Sequence, residues 1–395
     1  MSVLKIYFGK LKEILKVQSA EYFILLVICI ACSFFDISAV AKWLGVVFLL
    51  TIILQSLFLL KRCYLLFIFR VLIAILLGSQ LVWIIAQKTI FPPMVGVGEP
   101  YSENDLLGFQ LTPNLHDAWQ WQIIKKDTLV AISISSDSCS RRIPDDAFMK
   151  EYAMPQLHPD KHALFLGCSF TFGFDLMYAS TFPYLFEKVN PDYKSYNYGV
   201  SGFGPHQMAL LFDKRVNTIN EETVPERKGF ALYTYIDAHL DRVYGGSDYL
   251  RWVHCLPPNV YIENDSLVIK EWPQKQLRNA KLLNSITLLR KFIKLNYPKK
   301  EAFYKRFASI INYMAKQYWE LNPDNHFYVS IYPGYDVDLN WIQYLDEKIV
   351  VLRVNPPSDY DDKSKYKVNS RNPHPSEAAN VYYVEELTKL IGEYE

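Results

Sequence analysis

Leu164-Phe165-Leu166-Gly167-Cys168-Ser169-Phe170-Thr171-Phe172-Gly173 begins as a short apolar strand (Ala163–Leu166) and breaks at a glycine. A serine just past a strand end, with glycine in the turn, can hold its hydroxyl in the crevice above a sheet. The helix start that follows offers backbone N–H groups to a developing oxyanion. The plainer role for Ser169 is to cap that helix. Cys168 falls on the opposite side of the strand end and reads as a small packing residue.

Outward from this run the chain alternates strand and helix patterns. Thr181–Val189 is predicted helical, Ser195–Tyr198 a strand, His206–Arg215 a helix and Phe230–Ile236 a buried strand. Asn279–Leu295 and Glu301–Leu321 carry helical periodicity, His326–Tyr332 and Lys348–Val354 read as strands, and Ser376–Ile391 closes as a helix. Such alternation predicts an α/β domain over 161–395 with a mostly parallel sheet covered on both faces. Chemistry in these sheets sits at the carboxyl ends of strands. Before it, Phe91-Pro92-Pro93 and Met94–Pro100 form a linker, and short β-rich runs from Asp105 to Ile143, clearest at Leu129–Ile134, suggest a small β-rich lead-in within 91–160.

Three more segments place polar residues at predicted strand ends. Tyr196-Asn197-Tyr198-Gly199-Val200-Ser201-Gly202-Phe203-Gly204-Pro205-His206 passes from strand through a Gly-rich loop into a helix. Tyr233-Thr234-Tyr235-Ile236-Asp237-Ala238-His239-Leu240-Asp241-Arg242 sets a polar block beyond a buried strand; a salt-bridged helix start accounts for it as well as catalysis does. In Asn372-Pro373-His374-Pro375-Ser376-Glu377-Ala378-Ala379-Asn380 a histidine is locked between prolines ahead of the last helix, which suits a general base. Asn197, Asp237 and Asn372 are further polar candidates beside these turns.

Taken together and in this order, the four blocks resemble the SGNH hydrolase (GDSL-like esterase) superfamily. The closer likeness is to membrane-anchored bacterial members carrying Gly-Cys-Ser-Phe-Thr-Phe-Gly and Asn-Tyr-Gly-x-Ser-Gly-x-Gly-Pro-His-Gln. It covers His162 to the C-terminus and is most specific in the first two blocks. The resemblance implies a flavodoxin-like α/β/α domain with Ser169 as nucleophile, His374 as base, and the backbone N–H groups of Ser169 and Gly202 as oxyanion donors. Two departures stand out. Arg371 occupies the position, three before the histidine, where the superfamily usually has Asp; Asn372 stands two before, and Asp359, Asp361 and Asp362 are the nearest carboxylates. The superfamily's third block supplies an Asn side-chain donor, whereas this chain has Asp237, which cannot donate when ionised, and His239, the candidate third donor.

The first ninety residues differ in kind. They carry nine Lys/Arg and three Asp/Glu, net +6, leaving a body of net −5 in a chain whose formal charge is +1. Tyr22–Phe35 lies between Glu21 and Asp36, Trp43–Leu60 has no charge, and Cys63–Ala86 has only Arg70. A bilayer core needs about 20 apolar helical residues, so three spans near 19–38, 43–60 and 63–88 are predicted. Lys5, Lys10, Lys12, Lys16, Lys61 and Arg62 flank them on the side the positive-inside bias makes cytoplasmic, which delivers everything after Lys88 to the opposite side. Arg70 is explained by snorkelling. A mildly acidic body on a basic, greasy head excludes nucleic acid as the expected partner. Cys139, Cys168 and Cys255 lie outside the head, so at most one disulfide is expected there; no Cys/His spacing suggests zinc, and neither metal nor cofactor is expected.

The expectation is therefore a multi-pass inner-membrane protein, anchored in the lipid bilayer, with an SGNH-like domain on the periplasmic or extracytoplasmic side. Its reaction would be acyl-ester chemistry on an envelope glycan or lipid-linked sugar, by hydrolysis or O-acyl transfer through a Ser–His acyl-enzyme. A membrane acyl-donor protein would be a partner of the transferase form. The alternative of another class is a catalytically silent SGNH-like binding or scaffold subunit, favoured by Arg371 and Asp237 and opposed by Ser169 and His374.

Overall fold

The computed structural model describes residues 101–116, 118–124, 128–151, 159–245, 257–274, 277, 300–333, 338–360, 363–368 and 374–394. These belong to one of the chain's two structural units, the one spanning 93–284 and 289–395. The three spans expected near 19–38, 43–60 and 63–88, and the helix expected over Asn279–Leu295, lie outside the described residues. Among the described residues no helix is long and apolar enough to cross a membrane.

In chain order, hairpin β1 (Tyr101–Asn104) and β2 (Gly108–Leu111) is followed by β3 (Ala118–Ile124), β4 (Thr128–Ser136), β5 (Arg142–Ile143) and helix α1 (Asp146–Glu151). Next come β6 (Lys161–Leu166), α2 (Ser169–Phe172), α3 (Phe182–Val189), β7 (Tyr193–Asn197), α4 (Pro205–Leu210), β8 (Lys228–Tyr235) and α5 (Ala238–Val243). A second hairpin, β9 (Val260–Glu263) and β10 (Ser266–Ile269), precedes α6 (Lys300–Leu321), β11 (His326–Ile331), β12 (Val350–Arg353), α7 (Lys363–Tyr366) and α8 (Glu377–Gly392).

Eight strands form one sheet in the order β12-β11-β8-β6-β7-β5-β4-β3. The first five are parallel; β5, β4 and β3 continue the sheet antiparallel. The sheet is thus mixed, where a mostly parallel one was expected. The physical reason is that the connections joining β3, β4 and β5 are too short to hold a crossover helix, so the β-rich lead-in joins the sheet by hairpin-type pairing. Numbered among themselves, the parallel strands run 2-1-3-4-5, and the winding direction reverses at β6. In such sheets the crevice beyond the carboxyl ends of the strands opens at that reversal.

Alternation along the strands builds two cores. On one face Leu164 and Leu166 of β6, Ala231, Tyr233 and Tyr235 of β8, and Phe327, Val329 and Ile331 of β11 pack under α6, with Phe307, Ile310, Ile311, Met314 and Tyr318. On the other, Ala163, Phe165, Phe230, Leu232 and Tyr328 meet Phe182 and Phe186 of α3 and Tyr383, Val384 and Leu387 of α8. Both faces are buried, which is why these strands read as continuous apolar runs. Helix α4 stops at Leu210, short of the expected Arg215. Leu211 and Phe212 turn into the core there, and the N–H groups of Thr218 and Ile219 return to the Leu211 carbonyl.

Candidate active site

Strand β6 delivers the chain to the reversal point and Gly167 turns it. Its φ of +151° lies in the region that favours glycine, and a Cβ there would stand 2.4 Å from Thr171 Oγ1. Helix α2 follows at once, with Cys168 as its N-cap and Ser169 as its first residue. The Ser169 hydroxyl is not spent on capping, so the plainer role for this serine is not the one it plays. Cys168 is fully buried in the α8-side core, a packing residue as its place in the strand suggested.

Ser169 is paired instead with a residue 205 positions away. His374 Nε2 lies 2.8 Å from Ser169 Oγ. Described neighbours hold His374 through its ring and its carbonyl. Its ring packs against Phe174 (centroids 4.8 Å apart) and Phe170 (5.6 Å). The Val368 N–H donates to its carbonyl at 3.0 Å, and the next residue, Pro375, bridges to Lys367. Two residues on, Ser376 caps α8, its Oγ accepting from the Ala379 N–H at 3.3 Å. Burial of the ring, reinforced by the positive charge of Arg242, pushes the imidazole pKa down to about 4. At neutral pH the ring is uncharged, as a base must be.

The second Gly-rich loop comes alongside. Val200 N–H donates to the Gly167 carbonyl at 3.3 Å, tying this loop to the turn before Ser169. Contact between the two is close: a Cβ on Gly199 would stand 2.3 Å from the Phe172 nitrogen. Val200 to Phe203 form a β-turn closed by the Phe203 N–H on the Val200 carbonyl at 3.0 Å, with Gly202 at φ +87° in its third position, the geometry of type II. Among the described residues, neither the Ser169 nor the Gly202 N–H has an acceptor. Arg242 of α5 donates through Nη1 to the Phe203 carbonyl at 2.6 Å and holds the far side of the turn.

Asn197 is buried and structural: its Oδ1 accepts the Gly199 N–H at 3.0 Å and its Nδ2 reaches the Phe172 carbonyl at 3.5 Å. Asp237 is exposed at the N-cap of α5 and accepts the Asp338 N–H at 3.3 Å. His239 is fully buried, with Nδ1 on the Tyr233 hydroxyl at 2.7 Å, and among the described residues its Nε2 has no partner. Asn372 and Arg371 lie outside the described residues. Cys139 and Cys168 are free thiols, and Cys255 also lies outside.

A groove of about 730 Å³ lies between the segment that follows α2 (Asp175, Met177) and residues of α7, α8 and their flanks (Tyr366, Val368, Ser376, Tyr382); neither Ser169 nor His374 lines it. Arg142 on β5, which no sequence motif singles out, reaches the other end of α2. Its nitrogens donate to the carbonyls of Phe172, Gly173 and Leu176 at 2.8, 2.8 and 2.7 Å. A buried arginine in a two-residue strand carries no pattern a sequence reader can use; only its neighbours in space identify it.

No family model and no curated protein matches the chain. Solved structures to which the chain is similar include an acetyl xylan esterase from the rumen bacterium Butyrivibrio proteoclasticus, at 12% identity and TM-score 0.37. That match covers 62% of this chain and 66% of that one, just under two thirds of its length. Another is a family two carbohydrate esterase from Clostridium thermocellum, solved with cellohexaose, at 11% identity and TM-score 0.37 over 71% of this chain and 86% of that one. A third, from Desulfitobacterium hafniense, is described as lipolytic and of the G-D-S-L family, at 12% identity and TM-score 0.29 over 58% and 98%.

Proposed function

We propose that this chain is a membrane-anchored SGNH-type serine esterase or O-acyltransferase acting on an acylated envelope glycan or lipid-linked sugar. The observation that carries the reading is the 2.8 Å approach of His374 Nε2 to Ser169 Oγ at the reversal point of the sheet. As Ser169 Oγ attacks an acyl carbonyl, its proton passes to His374 Nε2, which requires the neutral tautomer protonated at Nδ1. The resulting oxyanion is met by the Ser169 and Gly202 N–H groups. Collapse expels the sugar oxygen, which takes the proton back from His374 and leaves an ester on Ser169. Water, or a second sugar hydroxyl, then gives its proton to His374 and attacks that ester; the bond from the acyl carbon to Ser169 Oγ breaks and Ser169 takes the proton back, so that hydrolysis and transfer share one intermediate. Orientation with this domain on the periplasmic side follows from the lysines and arginines of the head.

The test is labelling of the full chain in detergent micelles with a fluorophosphonate probe, with the modified residue located by mass spectrometry. Labelling at Ser169, lost in Ser169→Ala and reduced on the order of 100–10,000-fold in His374→Gln, is expected. A correctly folded protein that takes no label would leave the silent binding-module reading standing instead.

A further inference from the structure

Resting on that reading, we infer that Arg142, on the antiparallel flank of the sheet, is the positioning residue that sets the Ser169–His374 geometry. Helix α2 has only four residues, too few to hold its shape by its own hydrogen bonds. The chain beyond it kinks twice, at Gly173 (φ +77°) and Asp175 (φ +68°), and turns three carbonyls toward one point. The Arg142 guanidinium occupies that point. It is 2% exposed, lies 4.8 Å over the Phe172 ring and binds all three carbonyls. A planar fork with several donors can satisfy three divergent carbonyls; an ammonium on a flexible stem cannot hold the same plane.

The clamp reaches both members of the pair through short paths. The Ser169 carbonyl accepts the N–H groups of Gly173 (3.1 Å) and Phe174 (2.9 Å), so the segment that Arg142 grips also holds the nucleophile's own backbone. Phe174, one residue beyond the gripped Gly173 carbonyl, carries the ring that packs against His374. Arg142 is also the register partner of Asn197, whose side chain anchors Gly199 of the oxyanion loop and touches the same Phe172 carbonyl. One buried cation thereby links nucleophile, base and oxyanion loop. The antiparallel lead-in strands acquire a task beyond widening the sheet: they deliver this side chain.

The experiment compares the full chain with Arg142→Lys, Arg142→Met and a control, Arg306→Lys, in detergent micelles. Arg306, on α6, is likewise buried, and its guanidinium is bonded to the Val260 carbonyl and Asn259 rather than to the segment that follows Ser169. Two readouts are taken well below each variant's melting temperature. One is the fluorophosphonate labelling rate per folded molecule; the other is the titration midpoint of His374 followed by ¹³Cε1-histidine NMR. Both Arg142 variants should label at least tenfold more slowly, and the His374 midpoint should climb from about 4 toward the ordinary 6.5 as Phe174 loosens and water reaches the ring. Arg306→Lys should melt earlier yet label within about twofold of wild type. Unchanged labelling and an unchanged midpoint in Arg142→Lys would overturn the inference, as would an equal loss of labelling in Arg306→Lys. If the wild type takes no label, the esterase reading fails by itself and the His374 midpoint alone decides for Arg142. Should Arg142→Met not fold, Arg142→Lys decides both readouts.

Discussion

His374 sits between two phenylalanine rings with a hydroxyl at Nε2, and the cost of charging it there sets its pH behaviour. Burial is the larger cause of its lowered pKa and the Arg242 charge the smaller. Only the neutral ring can accept the Ser169 proton. The kcat/KM for a simple ester such as 4-nitrophenyl acetate should therefore stay level down through pH 6.5 and fall below about pH 4. An acid limb centred near 6.5 would contradict this. Stability moves in the same direction over a wider range. A histidine whose folded pKa lies below its unfolded value is protonated more readily when unfolded, so its contribution is complete above about pH 6.5 and is lost as pH falls toward 4. His206 and His239, both fully buried and both lowered chiefly by burial, add to that acid loss. The sequence displayed His374 through its flanking prolines. It gave no hint that His239 would be walled into the core on Tyr233, because burial is a property of what packs around a residue.

At the scale of elements, the site is the meeting of two Gly-rich turns, each at the end of a parallel strand. Both turns were legible, since glycines clustered after an apolar run mark a strand's end. Their mutual contact was not. Gly199 abuts the backbone of Thr171 and Phe172 so closely that a methyl group there requires one turn to withdraw from the other. Gly199→Ala should cost roughly 2 kcal/mol or more in urea unfolding, with lower labelling at Ser169 per folded molecule. Gly392→Ala, at the end of α8 where a Cβ meets nothing within 4 Å, should be neutral or stabilise slightly. Equal effects of the two substitutions would remove the argument for contact between the turns. The β9–β10 hairpin escaped the sequence reading because its Asn264-Asp265 turn lacks glycine, although both residues adopt positive φ (48° and 59°).

For the whole molecule, the proposed orientation rests on where lysine and arginine fall among the first ninety residues. An alkaline phosphatase fused after Lys88 should be active, and one fused after Arg62 inactive; the reverse pattern would put the body in the cytoplasm. Composition and periodicity alone determined the alternation of strands and helices, the apolar spans of the head, and the four blocks at strand ends. These are local signals, written in the spacing of apolar residues and glycines along the chain. Only the tertiary structure decided which of those blocks share a crevice, that the lead-in strands extend the sheet antiparallel, and that Arg142 grips the helix carrying Ser169. Distances between residues 205 positions apart depend on strand order and on which core each side chain fills, and no local pattern encodes either.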